Sequence, residues 1–393
     1  MAVAQGYGKT VTSGSVFAYD TGDTVNSYIG EPTVNAISNA STMASWTNYY
    51  RTVASSTFIT EFGTTGYRFV NQPSWNGVYR NFNLGSTGFY TFSAWFRYNG
   101  GSAANNGATV YISNYGGGDT LAALDKTKVG IWQRVTFTVN VTSPSNVYFY
   151  LISYGGTDNG TGNPDFSSWE VTMPQIELNS HATPFVNGTR SVTQGLLPLV
   201  GNSTLDLSNV SFDSNAQMTF DGTDDYASVT LPSSIGVYCL EMVWYNNNAI
   251  PNNDTAIGGP TTYQTPIEFN GTGQGVHLGA WTGGFTNEAI HIWGAGGATA
   301  NQAAAGVGYH HVVFNWNGTT YDIWLDGVNT PTQYLSGNNP ATLLTASSIK
   351  IGNDVSNYAF NGQLPITKIY NRALSSSEVQ QNYNKYKSRF NLS

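Results

Sequence analysis

Apolar and polar positions alternate with a period of two through most of this chain. "FYTFSAWFRY" (Phe89–Tyr98), "ATVYISNY" (Ala108–Tyr115), "WQRVTFTVNV" (Trp132–Val141) and "NVYFYLISY" (Asn146–Tyr154) each put successive side chains on opposite faces, as a strand does, with Gly, Asn and Ser between them. The same texture returns after residue 200 in "QMTFDG", "YASVTL", "VYCLEMVWY", "EAIHIWG", "HHVVFNWNG", "TYDIWLDG", "SSIKIG" and "LPITKIY". Many short strands with regular turn signals predict an all-β fold of two jelly-roll or β-sandwich domains. The one helix signal closes the chain. Ser375 as N-cap and Glu378 three residues on make a capping box, and Leu374 and Val379 a hydrophobic staple. Val379, Tyr383 and Tyr386 then fall on one stripe, which predicts a short amphipathic helix over residues 375–387 lying on the second domain.

The alternation breaks at "HATPFVNGTRSVTQGLLP" (His181–Pro198), where prolines and glycines mark a boundary. The expected organisation is an N-terminal anchoring segment over 1–30, a jelly roll over 31–186, a linker over 187–195 and a sandwich with its closing helix over 196–393. "WQRVTFTVN" from Trp132 and "YHHVVFNWN" from Tyr309 align residue for residue, so the same strand type is expected in both domains.

Composition narrows the partners. Charged residues make up 10% of the chain, against an average of about 25%, while 25 Tyr, 19 Phe and 10 Trp suit half-buried pleated surfaces. The net charge is −8 with only 15 Lys and Arg, which excludes a basic stripe for nucleic acid. Cys239, the sole cysteine, sits on an apolar run and is expected to be a buried thiol. The opening "MAVAQGYGKTVTSG" lacks the apolar core of a signal peptide, and no apolar run of about 18 residues predicts membrane insertion. The expectation is a chain folded in the cytoplasm.

"GYHHVVFNWNGTTYDIWLDGV" (Gly308–Val328), "MTFDGTDDYASV" (Met218–Val229) and "FNGQLPITKIYNRALSSSEVQQNYNKYKSRF" resemble, in order, the strands and closing helix of a laminin-G-like or concanavalin A-like domain. "GIWQRVTFTVN" and "SWEVTMPQIEL" resemble late strands of a carbohydrate-binding-module-like jelly roll. "YDTGDTVNSYIGEPTVN" (Tyr19–Asn35), "QIELNSHATPFVNGTRS" (Gln175–Ser191) and the closing stretch are similar to segments of tailed-bacteriophage virion proteins. That resemblance implies a non-enzymatic structural protein of the virion, in capsid decoration, a head fibre or the tail. It implies other virion proteins as partners, several copies or a homo-oligomer, and host cell-surface polysaccharide as ligand. The alternatives are a secreted bacterial glycan-binding module and a glycoside hydrolase or depolymerase.

Glycosidases need two carboxyl groups about 5–5.5 Å or 6.5–9.5 Å apart, and the glutamates here lack an acidic neighbour two residues on. Glu170 and Glu241 lie in predicted strands and are the catalytic candidates of the hydrolase alternative. Asp221, Asp224 and Asp225 in "FDGTDDY" form the densest carboxylate cluster and the candidate calcium site. The resemblance places a further acidic residue early in the closing strand, where this chain has Leu364-Pro365-Ile366. His291, His310 and His311 lack zinc spacing and are expected to be strand residues. Sugars stack on aromatic rings while amides bond their hydroxyls. Trp46, Tyr49, Trp75, Tyr79, Asn247 and Trp281 are therefore the glycan-binding candidates, with Asn48, Tyr50, Asn76 and Arg80 beside them. Lys368, Arg372, Lys385, Lys387 and Arg389 make the closing stretch basic, as suits a helix C-terminus.

Overall fold

The computed structural model describes residues 9–49, 55–73, 75–101, 108–144, 146–153, 167–213, 215, 217–247, 264–279, 290–294, 297–301, 306–330, 332–334 and 342–392. The fold is all-β with one C-terminal α-helix, in two compact units. One unit is Pro32–Ser191; the other joins Met1–Glu31 to Val192–Ser393.

Pro32–Ser191 holds two five-stranded antiparallel sheets. One runs Trp132–Val141, Gly88–Gly101, Ser167–Glu177, Thr65–Gln72, Ser55–Ile59 in spatial order, and the other Thr47–Tyr49, Gly77–Phe82, Val147–Ser153, Ala108–Ser113, Thr120–Ala123. Their inward positions meet in one aromatic core. Phe92 of the first sheet packs edge-on against Phe149 of the second at 5.4 Å, and Phe69 stacks on Trp169 at 4.1 Å. Each such ring, fully buried, contributes roughly 1.5–3 kcal/mol.

The stretch expected as a linker is built into both units. Thr189–Arg190 pairs with Thr33–Val34, and buried Glu177 accepts hydrogen bonds from Thr183 N–H (2.9 Å) and Oγ1 (2.7 Å) and from Gln175 Nε2 (2.8 Å). From Gly195 onward the chain serves the other unit, where Ile29 N–H donates to the Gly195 carbonyl at 2.9 Å and Leu196 is buried.

The other unit has two eight-stranded sheets around a core that includes Leu240, Met242, Trp244, Ile267, Phe269 and Phe314. The N-terminal segment is part of it. Ser15–Asp20 pairs antiparallel with the second half of Asn361–Tyr370, while Met218–Asp221 pairs with its first residues. Residues read as an anchor standing apart from both domains thus form a strand of the C-terminal sandwich, with Phe17 and Tyr19 fully buried in its core. Cys239 is a buried thiol, its pKa raised by burial.

The helix spans Ser376–Phe390, starting one residue later and ending three residues later than the sequence pattern indicates. Ser375 caps it with the expected reciprocal bonds to Glu378. Phe390 extends the buried stripe of Val379, Tyr383 and Tyr386, and Asn391 ends the helix in the left-handed region. The stripe covers the outer face of the sheet over Cys239, Val313 and Tyr370 and over Val243 and Ile366. Two of the basic residues are paired within this unit: Arg389 grips Asp20 through two 2.7 Å hydrogen bonds, and Arg372 binds Glu378 at 2.6 Å.

Candidate functional site

In Val147–Ser153, Val147, Phe149 and Leu151 face the core of the Pro32–Ser191 unit, which turns Tyr148 and Tyr150 to the opposite face. Register then builds a row. Tyr150 lies directly opposite Tyr79 on one side and Tyr111 on the other, and the row continues to Thr47 and Leu121 on the flanking strands. Ring centroids lie 5.5 Å apart for Tyr79–Tyr150 and 5.1 Å for Tyr111–Tyr150. Tyr49 joins at 5.0 Å from Tyr150 and 5.8 Å from Tyr79, and Tyr148 lies 6.2 Å from both. All five rings are half-buried. Gly77 lets the strands close up here, since a Cβ would come within 2.2 Å of the Leu151 carbonyl oxygen.

Trp75 ends the row, its ring edge-on to Tyr111 at 6.5 Å. Its backbone is left-handed (φ 68°), rare for a bulky residue, and its N–H donates to the Ser153 carbonyl at 2.7 Å. Polar groups border the rings: the Tyr111 hydroxyl donates to Asp119, and Asn81 is exposed beside Tyr148 in the register. Burial among the rings raises the Tyr150 pKa, partly offset by a hydrogen bond with Ser113, so its hydroxyl stays protonated. The result is an open face of mutually braced phenol rings.

Of the sequence candidates, the fold brings Tyr49, Trp75 and Tyr79 together. Trp46, close in sequence, instead packs towards the core, edge-on to Phe149 at 5.7 Å. Asn48 is exposed on the edge strand, Asn76 is buried and donates to the Pro73 carbonyl (3.1 Å), and Arg80 lies over Phe82. Asn247 belongs to the other unit, where its amide donates to Asn361 Oδ1 at 2.7 Å. Trp281 and Tyr50 lie outside the described residues. Tyr111, Tyr148 and Tyr150 are the members that sequence reading missed.

The catalytic candidates are held otherwise. Glu170 sits between Arg68 Nε (2.6 Å) and Arg97 Nε (2.5 Å); burial pushes its pKa up, but these two hydrogen bonds outweigh it and keep it low. Glu241 is fully buried beneath the helix. Neither is a carboxylic acid poised over a cleft.

The carboxylates of Asp221, Asp224 and Asp225 converge within 4.8 Å. Asp225 Oδ1 accepts from the Ser211 hydroxyl (2.9 Å) and Oδ2 from Asp221 N–H (3.0 Å), while Asp221 Oδ1 accepts from Thr223 N–H (2.8 Å). Calcium takes about six to eight oxygens. Two of the three carboxylates are already engaged in turn hydrogen bonds, and no calcium step enters the function below. The histidines are strand residues: His310 pairs with Asp326 at 2.8 Å, His311 lies under the helix and His291 stacks on His277 at 5.2 Å.

Residues 221–380 match the family described as the concanavalin A-like lectin/glucanases superfamily, the laminin-G type. No curated protein matches the sequence. Among solved structures, the carbohydrate-binding module TmCBM61, in complex with β-1,4-galactotriose, is 14% identical over 37% of this chain and 99% of its own (TM-score 0.28). The CBM22-2 xylan-binding domain from Paenibacillus barcinonensis Xyn10C is 13% identical over 42% of this chain and 99% of its own (TM-score 0.28). The receptor-binding domain of botulinum neurotoxin D is 13% identical over 49% of this chain and 50% of its own (TM-score 0.33). Likenesses this weak leave the functional reading to the residues.

Proposed function

We propose that this chain is a non-catalytic glycan-binding protein whose Pro32–Ser191 unit holds sugar rings against the tyrosine face. The observation that carries this is the row Tyr79–Tyr150–Tyr111, three directly opposed tyrosines turned away from the core. A large aromatic surface left half-exposed on a regular sheet, bordered by a few polar groups, is what ligand recognition uses. Tyr150, touching four of the other rings of this face, is its centre.

Tyr150→Ala is therefore expected to weaken binding to soluble neutral polysaccharides (galactan, xylan, mixed-linkage glucan) by roughly 30-fold or more, the loss typical of a central aromatic anchor. Affinity gel electrophoresis of the folded variant measures this; unaltered retardation, or none for the parent chain, removes the proposal. Trp75→Asn separates recognition from stability. Asn adopts the left-handed backbone more readily than Trp, so the melting midpoint should hold or rise while binding weakens. A variant that binds as the parent does would place Trp75 outside the site.

The setting proposed is display in several copies on a tailed-phage particle, supported by the sequence segments Tyr19–Asn35 and Gln175–Ser191. Mass spectrometry of purified particles tests this separately: absence of the chain removes the setting and leaves the glycan reading standing.

A further inference from the structure

The helix Ser376–Phe390 lays Val379, Tyr383, Tyr386 and Phe390 on the sheet, and one polar side chain interrupts that stripe. Asn382 is fully buried, as is Glu241 beneath it, and Lys368 is only 6% exposed. Glu241 and Lys368 stand directly opposite one another on neighbouring strands, so register places carboxyl and amine side by side under the helix. Packing does not require this set, because a buried lysine is unfavourable unless it is paired and hydrogen-bonded.

The contacts point to reactivity. Asn382 Nδ2 donates to Glu241 Oε2 at 3.0 Å, and Lys368 Nζ lies 3.9 Å from that same oxygen, so amine and carboxamide flank one carboxylate oxygen. His311 Nε2 at 2.8 Å and the Tyr370 hydroxyl at 2.9 Å hold the carboxylate in place. The amine has no hydrogen-bond partner among the described residues and rests 5.3 Å from the centre of the Tyr386 ring, one helical turn beyond Asn382. On the other side of the amide, Asn382 Oδ1 accepts the Val11 N–H at 2.7 Å. A backbone donor so placed stabilises the charge that gathers on a carbonyl oxygen when its carbon is attacked. Burial lowers the Lys368 pKa against the pull of Glu241 and Asp20, which favours the nucleophilic free amine.

We propose that Lys368 and Asn382 join in an intramolecular isopeptide bond, with Glu241 as proton carrier, fastening the helix covalently to the strand Asn361–Tyr370. The Lys368 side chain swings from the Tyr386 ring so that Nζ attacks Cγ of Asn382. The new C–N bond puts negative charge on Oδ1, against the Val11 N–H. Glu241 takes a proton from the attacking nitrogen and delivers it to Nδ2. The Cγ–Nδ2 bond then breaks, the carbonyl re-forms and ammonia leaves. No oxidant or cofactor is consumed, and a lysine that starts as an ammonium ion loses its extra proton with the ammonia. Holding both groups in one dry site makes the step unimolecular, which offsets the low reactivity of a carboxamide. The product is a neutral secondary amide, so the reaction also removes the buried, unmatched amine.

Intact mass spectrometry of the purified full chain tests this. The folded chain is expected to be lighter than its sequence by one ammonia. Trypsin should then release residues 351–372 joined to residues 373–385, with no cleavage after Lys368. Lys368→Met is expected to restore the full sequence mass. That variant separates the isopeptide bond from closure of an asparagine to a succinimide, which also releases ammonia but needs no lysine. Glu241→Gln is expected to leave the bond unformed, and Lys368→Met carries the comparison if Glu241→Gln fails to fold. A parent chain at its full sequence mass, or an ammonia loss that persists in Lys368→Met, overturns the inference. A bond that forms undiminished in Glu241→Gln overturns the role given to Glu241.

Discussion

Deleting residues 1–20 is expected to unfold the C-terminal unit rather than trim a tail. Ser15–Asp20 is paired to Asn361–Tyr370, and Phe17 and Tyr19 are fully buried in the core. Truncating a buried aromatic side chain costs about 3–5 kcal/mol, so losing two approaches the whole stability of a typical domain, about 5–15 kcal/mol. The deletion also takes Asp20 from Arg389, and it takes the Val11 N–H from Asn382 (2.7 Å) and the Lys9 carbonyl from Gln381 (2.6 Å), contacts that hold the helix. Limited proteolysis followed by mass spectrometry should find Val192–Ser393 degraded. The point variant Phe17→Ala, expected to lower stability by about 3–5 kcal/mol in denaturant titration, gives the graded version. A deletion mutant with the parent's melting midpoint would return residues 1–20 to the role of a free anchor.

How much of this was legible in sequence depended on the range of the interaction. The capping box of Ser375 and Glu378 lies within four residues and was readable in full. The pairing of Ser15–Asp20 was not, because its partner lies near residue 368 and a short alternating run does not name the strand it will join. The tyrosine face shows a subtler limit. In "NVYFYLIS" both alternating sets are apolar or aromatic, Val147, Phe149 and Leu151 against Tyr148 and Tyr150. Period two identifies the strand but does not say which set faces inward; the second sheet decides that by covering Phe149. Tyr49, Trp75 and Tyr79 were found because they stand beside turn residues, and Trp46 was added for the same reason although it packs towards the core.

Glu241→Ala is expected to lower stability by about 3–5 kcal/mol, the effect of removing one member of a buried charged network. Its carboxylate accepts hydrogen bonds from His311 Nε2 (2.8 Å), the Tyr370 hydroxyl (2.9 Å) and Asn382 Nδ2 (3.0 Å), and so ties two neighbouring strands and the helix to one point. Lys368 Nζ stands 3.9 Å away without a hydrogen bond among the described residues, and burial holds its pKa below the lysine range against the pull of Glu241. Lys368→Met should accordingly be much milder than Glu241→Ala. Burial raises the Glu241 pKa, but the hydrogen bond from His311, with Lys368 and Tyr370, outweighs it and leaves the group below its ordinary value. Because the folded pKa is the lower one, this stabilisation is fully present above the unfolded glutamate value of about 4.3 and is lost as pH falls through the folded value. Glu241→Gln keeps the shape and one acceptor but cannot titrate. Its denaturation midpoint should start lower at pH 7 and then fall less steeply than the parent's below pH ~4. Glu378 titrates in the same acid range, held down to about 2 by its hydrogen bond from Arg372, and Glu378→Gln serves as the control. If Glu241→Gln kept the parent's acid limb while Glu378→Gln flattened it, the acid sensitivity would belong to the helix cap and not to the buried network.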